Sequence, residues 1–472
     1  MRDQIKERAL FEESPIIQAI IRLAFPTVIG QIIMVVYNMA DTFFIGLTGS
    51  DATVTAVTIC MPAFMFLSAI SNLFGIGGAS VISRALGARK MERARDTASF
   101  AFWGCLALTL LYTLGVWIFM DLFIDALGGS NAAVHAHARV YLIVTVVLGG
   151  IFAAMSTFLS HLVRSEGRSI HASVGIAMGG ILNMVLDPLF MFVILPKGNE
   201  VLGAAVATSL SNMISMLYFV AVFKSNNDRS VLSIHFTTSM FKDGIPAAVF
   251  NCGLPACLMT LFENVSYAVL DNLMALNGIA MQAGIGIAKK INMMAHCIVR
   301  GMSQGVLPLI SYNYASFNHK RMKDAVTISM GISIALSAVC MAVCLTFNET
   351  LVGLFIQNGG DSVVYGARFL QILCIGAPFS ACAYAVISFF QAVGCGMKSF
   401  VLAIMRKGIL TVIMQRSNWK KSSFWRLNCA AVLRNSSKSS AVWSSMMSIS
   451  AILITKPSRR SMFLCRSREA AS

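Results

Sequence analysis

The stretch that decides the fold runs from Ile16 to Gly46 and reads IIQAIIRLAFPTVIGQIIMVVYNMADTFFIG. At 1.5 Å per residue, a helix of this length exceeds the ~30 Å hydrocarbon core of a bilayer. Near its far end stands Asp41. An ionised group at membrane depth costs at least ~2.5 kcal/mol, so such a residue faces a water-filled cavity, a cation or a proton. Two further acids lie in apolar runs: Asp187 in SVGIAMGGILNMVLDPLFMFVIL and Glu263 in LPACLMTLFENVSYAVL. Three acids on an apolar scaffold point to ion-coupled transport.

Composition agrees. Of 472 residues, 57% are hydrophobic and 12% charged, against roughly 25% charged in soluble domains. Apolar runs long enough to span recur over the first 400 residues, with the spacing of helices rather than alternating barrel strands. The N-terminus, MRDQIKERALFEESP, is a charged amphipathic stretch with neither an apolar core nor a cleavage site for a signal peptide. Most cysteines fall inside apolar spans, and neither they nor the seven histidines show metal-ligand spacing. No cofactor and no catalytic grouping is expected: an HExxH motif, paired catalytic acids and a Ser/His/Asp set are all missing, which argues against an enzyme. The formal net charge of +16 is concentrated at one end. Residues 412–472 carry eleven basic residues and one acid, Glu469; without them 26 basic face 20 acidic residues. No basic patch outside that tail suits nucleic acid.

Ten spans are expected, at about 16–46, 53–82, 97–122, 138–163, 170–195, 201–223, 247–276, 279–312, 325–347 and 365–391, with an eleventh beginning near Ser399. The connections after even-numbered spans are basic, as in RALGARKMERAR at 84–95, RSEGR at 164–168 and HKRMK at 319–323. By the positive-inside rule these connections and the N-terminus are cytoplasmic, in an inner (plasma) membrane. The chain also repeats at low identity. Pro26 and Pro255 stand 229 apart, Ile82 and Ile310 228 apart, and Gly167 and Gly394 227 apart. A nearly constant offset marks duplication of a six-span unit. Six spans is even, so the copies have the same orientation, about an axis along the membrane normal, with a cavity between them. The fold class is thus an all-α membrane protein of two parallel six-helix repeats. Its expected parts are an N-terminal lobe (1–230) with the cation site, a C-terminal lobe (231–411), and a tail (412–472). That tail is rich in Ser, Arg and Lys and never reaches 18 apolar residues in a row, just where the repeat demands two more helices. A frameshift after roughly Thr411 accounts for it; a genuine cytoplasmic tail is the alternative.

At FPTVIGQ…YNMADTFFIG in span 1, GIGGASVISRALGARK after span 2, ILNMVLDPLF in span 5 and GAAVATSLS in span 6, the chain resembles the MATE (multidrug and toxic compound extrusion) family. In the second half the resemblance rests on GLPACLMTLFE, GMSQGVLPLISYNYA and QAVGCGMKS. It covers about residues 14–410 and implies two six-helix lobes around a V-shaped cleft. It also implies a cation site for Na+ or H+ in the first lobe, at Asp41, Asp187 and Asn183 with Tyr37 and Thr208 beside them. Asn183 and Asp187 are four apart, as are Tyr37 and Asp41, hence on one helix face each. Glu263 matches a second-lobe coupling or drug-contact position. The aspartate that accompanies it in one branch of the family is missing here, where Ser388 stands instead.

Other readings stay open. Asp41 can cap a helix end, Asp187–Pro188 can mark a kink, and Glu263 can pair with Asn264 or Asn272. Lys289 and Lys290 of span 8 can pair with an acid, line the cleft or snorkel to the interface. The expected activity is secondary active efflux of amphipathic or cationic drug-like compounds in exchange for Na+ or H+, by a monomer in the lipid bilayer. A lipid-linked oligosaccharide flippase of related architecture and a non-functional truncated copy are the alternatives.

Overall fold

The computed structural model describes residues 9–48, 51–126, 131–225, 232, 235–275, 279–355 and 360–404. The reading of the tail (412–472) lies outside the described residues; of the expected eleventh span, residues 396–404 are described and are helical.

Fourteen helical elements position the site. They are α1 Ile16–Gly46, α2 Asp51–Gly87, α3 Met91–Ile118, α4 Met120–Ala126, α5 Ala132–Leu142, α6 Gly150–Ser165, α7 Ser169–Pro188 and α8 Glu200–Ser225 in the first half. The second half has α9 Ile245–Ala275, α10 Ile279–Ala315, α11 His319–Thr346, α12 Asn348–Gly353, α13 Asp361–Ile375 and α14 Ala377–Val393. Wider π turns join α5 to α6 (Ile143–Leu148) and extend α7 (Leu189–Ile194). Seven helices among the described residues are long and apolar enough to cross a bilayer, and two bent pairs raise the number to nine. Exposed apolar side chains such as Leu111, Val193 and Val339 cover the outside of a multi-pass membrane protein.

The eighth expected span, 279–312, stands apart from the others in composition. α10 is a single 37-residue helix, yet it is not among the apolar ones. It carries Lys289, Lys290, Asn292, His296, Arg300 and Gln304. The physical reason is its position: α10 packs against α1, α2, α9, α11, α13 and α14, so protein rather than lipid surrounds much of it. A helix enclosed by other helices can hold polar groups that lipid would reject.

The repeat is visible residue by residue. α1 and α9 are both 31 residues long, α2 and α10 both 37, and α3 and α11 both 28. Positive φ recurs at Arg89 and Phe317 (59° and 62°) and at Gly167 and Gly394 (90° and 89°). Glycine relieves the left-handed turn at the second pair. The broken span before each of these glycines bends by 47° and 41° respectively.

The halves meet along two equivalent seams built on small residues, the general device for close helix approach in membranes. In one, a Cβ on Gly77 of α2 would lie 2.5 Å from Val249 O and 3.1 Å from Gly253 Cα of α9. In the other, a Cβ on Gly305 of α10 would lie 2.5 Å from Ala24 Cα of α1. The pairs Gly77/Gly253 and Ala24/Gly305 are copies of one another at the 228–229 offset. Side chains reinforce the seam: Ser80 donates to Gln391 O (2.6 Å), Arg84 to Val393 O (3.2 Å) and Asn72 to Thr260 (3.0 Å). All of these contacts lie in the helix halves nearest the basic connections. An N-terminal arm closes the same end. Phe11 stacks on Tyr312 at 4.9 Å, its carbonyl accepts from Arg321 Nε (2.7 Å), and Tyr312 Oη donates to Glu12 (2.6 Å).

Candidate cation site

α1 and α7 run side by side in parallel. A Cβ on Gly30 would touch Ser173, and one on Gly180 would lie 2.9 Å from the Tyr37 ring. Both pairs differ by 143 in residue number. On that register Asp41 stands level with residue 184, between Asn183 and Asp187. The glycines at 30 and 180 are what allow the two helices this close. α8 approaches from the other side through GAAVA at 203–207: a Cβ on Gly203 would lie 2.9 Å from Met191 Cα in the π turn. The approach brings Thr208 to Asn183.

Asp41, Asn183 and Asp187 are buried, with Asp187 fully so. Asn183 Nδ2 donates to Asp187 Oδ1 at 3.0 Å and to Thr208 Oγ1 at 3.4 Å. Among the described residues Asp41 Oδ1, Asn183 Oδ1 and Asp187 Oδ2 have no hydrogen-bond partner. Buried polar atoms are rarely left so, and here all three are acceptors. Two carboxylates and an amide oxygen gather without donors, an arrangement that wants a proton or a small cation with oxygen ligands. Asp187 sits where Pro188 removes a backbone N–H and the helix passes into its π turn. Such turns collect at functional sites. Among the described residues no group of three His, Cys, Asp or Glu gathers as a transition-metal site would.

All five residues expected in the first half therefore belong to one neighbourhood. Asn183, Asp187 and Thr208 are joined by hydrogen bonds, and Tyr37 and Asp41 are brought alongside by the α1–α7 register. Sequence reasoning missed Tyr141 of α5, which is buried and interacts electrostatically with Asp41, Asp187 and Tyr37. Nothing in its local sequence, a lone Tyr in an apolar span, marks it. Glu263 lies elsewhere, on α9, and accepts a 2.8 Å charge-assisted bond from Arg300 of α10. Its partner is thus a guanidinium, where the sequence suggested the amide of Asn264 or Asn272; Asn264 donates instead to Thr260 O. Ser388 is buried on α14.

Fold and site together define a multi-span helical membrane carrier with a buried cluster of carboxylate and amide oxygens in its first half. The MatE family model matches residues 26–189 and 255–415, one stretch in each repeat, and the chain belongs to that family. The second match ends where the composition of the tail changes. The chain is similar to the multidrug export protein MepA of Staphylococcus aureus, at 29% identity over 408 residues, covering 86% of this chain and 88% of the relative. MepA of Staphylococcus saprophyticus is 28% identical over 404 residues. Among solved structures, an outward-facing multidrug resistance MATE family transporter superposes with a TM-score of 0.74 at 25% identity, covering 85% of this chain and 87% of that one. A MATE crystal structure in the straight conformation gives 0.74 at 25%.

Proposed function

We propose that this chain is a secondary active exporter that expels amphipathic, cationic drug-like compounds in antiport with Na+ or H+. The observation that carries the reading is the trio of buried, unpartnered oxygens on Asp41, Asn183 and Asp187. The family membership and the MepA relatives supply the substrate class. The reading takes the basic connections as cytoplasmic, in the plasma membrane. The seams then close the inner end, and the cleft between the halves opens outward. Outside cation enters at Asp41 and Asp187, its charge offsets theirs, and drug leaves. Release of the ion to the cytoplasm accompanies the return. The ion must bind the two states with different affinity for this to drive export. Glu263, with Arg300 2.8 Å away, contributes to the cleft wall rather than to a second cation site.

The test is efflux of a fluorescent cationic dye from cells expressing the chain, beside Asp41→Asn and a version with the reading frame restored after about residue 411. Export by the chain and not by Asp41→Asn supports the proposal. Export only by the frame-restored version, again abolished by Asp41→Asn, keeps the mechanism and makes this copy inactive. No export by any of them, with all present in the membrane, overturns it in favour of another substrate class.

A further inference from the structure

Lys290 is a polar group that the site described above does not use. It lies on α10, in the second half, in the run GIAKKINMMAHC. The packing of α10 on α1 fixes its height along the cleft. Gly301 abuts Val28 and Gly305 abuts Ala24, so the residue numbers of facing positions sum to 329 and the helices are antiparallel. On that register Asp41 stands level with Ala288 and Tyr37 with Asn292. Lys290 falls between them, within one turn of Asp41, on a helix whose residues 288 and 292 are buried. Lys290 and Asp41 interact electrostatically across the two halves, while Asp41 Oδ1 keeps no hydrogen-bond partner.

We infer that Lys290 is a tethered counter-cation for Asp41, competing with the coupling ion for the same carboxylate. The inference rests on the proposed exchange mechanism and adds a residue that sets its ion affinity. An ammonium held by one half and facing a carboxylate of the other supplies the charge that an empty site lacks. An entering Na+ or H+ must replace that interaction, which lowers the apparent affinity for the ion. The other titratable groups facing Asp41 are Tyr37 on its own helix, Asp187 of α7 and Tyr141 of α5. Lys289 adjoins Lys290. Lys290 is therefore the one cation whose charge acts on Asp41 among the described residues. Its long flexible stem suits a charge that moves on and off its partner.

The experiment compares the full chain with Lys290→Met, Lys290→Arg and Asp41→Asn. Two readouts are taken: the concentration of Na+, and separately of H+, giving half-maximal dye efflux from proteoliposomes, and the same concentration for the cation-dependent rise in Tm of purified protein. The second readout needs no transport. The expected result is a roughly fivefold lower half-saturating cation concentration in Lys290→Met, with Lys290→Arg close to the parent. A cation response lost in Asp41→Asn but unchanged in Lys290→Met overturns this inference alone. A parent chain whose efflux and Tm respond to neither ion overturns the coupling reading, and this inference with it.

Discussion

Single residues carry opposite charge problems in the two halves. In the first, Asp41 and Asp187 are buried and each keeps an oxygen without a hydrogen-bond partner among the described residues. In the second, Glu263 has its charge met by Arg300 at 2.8 Å, with side-chain exposures of 12% and 28%. Removing one member of a buried pair strands the other, and the cost exceeds the value of the pair itself. Glu263→Gln is expected to destabilise by about 1–3 kcal/mol, read as a lower Tm in detergent. Glu263→Gln combined with Arg300→Met is expected to recover most of that loss, and a double variant as unstable as the sum of its parts would count against the pairing. Gly180 tests the first half without touching a charge. A Cβ there would lie 2.9 Å from the Tyr37 ring and 3.2 Å from Ile33, so Gly180→Ala pushes Tyr37 aside. The expectation is protein that still reaches the membrane, with dye efflux reduced at least tenfold, since small displacements of a positioned group are costly to function.

At the scale of helices, the assembly depends on where small residues let backbones touch. The α2–α9 seam leaves no room at Gly253, whose added Cβ would collide with the backbone of Leu73. Backbone cannot rotate away as a side chain can, so Gly253→Ala must separate the helices. The expected cost is about 1–3 kcal/mol, seen as a lower Tm. Cross-linking across the Gly77–Gly253 seam should weaken in parallel. The N-terminal arm is the second clamp. Phe11 is buried at 3% exposure, wedged between the Tyr312 ring and Gly167. Phe11→Ala removes that wedge at about 3 kcal/mol, and it releases the end of the molecule that the seams hold closed. The check is cysteine accessibility at Ser80 and Arg84 positions from the side of the basic connections, expected to rise in Phe11→Ala and to stay unchanged if the arm is mere padding. Helix α10 shows what such packing adds: its course was readable as a span, but why it carries so many polar residues is explained only by the six helices around it.

For the whole molecule, the duplication was readable in three sequence pairs and governs helix length, turn geometry and both seams. The same offset of 227 from Gly167 to Gly394 assigns the counterparts of α7 and α8 to about residues 396–421 and 427–452, the first of which begins as a helix at 396–404, and the frame-restored chain is expected to have a higher Tm than the chain as written. Legible too were Asp41 and Asp187, because an acid in an apolar run is a local signal, whereas Asn183 came with the family resemblance. Tyr141 was not singled out, Glu263 was paired with an amide rather than with Arg300, and Lys290 was left with three open roles, because side chains from helices distant in sequence meet without a local signal. Local spacing carries no information about such encounters. The arm has one more consequence, in time rather than space. Residues 10–12 leave the ribosome first, but their docking groups at Tyr312, Asn313 and Arg321 follow some 300 residues later. Until then the arm has Gly167 beside it but none of these three partners, so its engagement with them reports that the second half has been inserted as far as α11. A protease site placed ahead of Phe11 would become protected late in synthesis, in step with insertion of the second repeat.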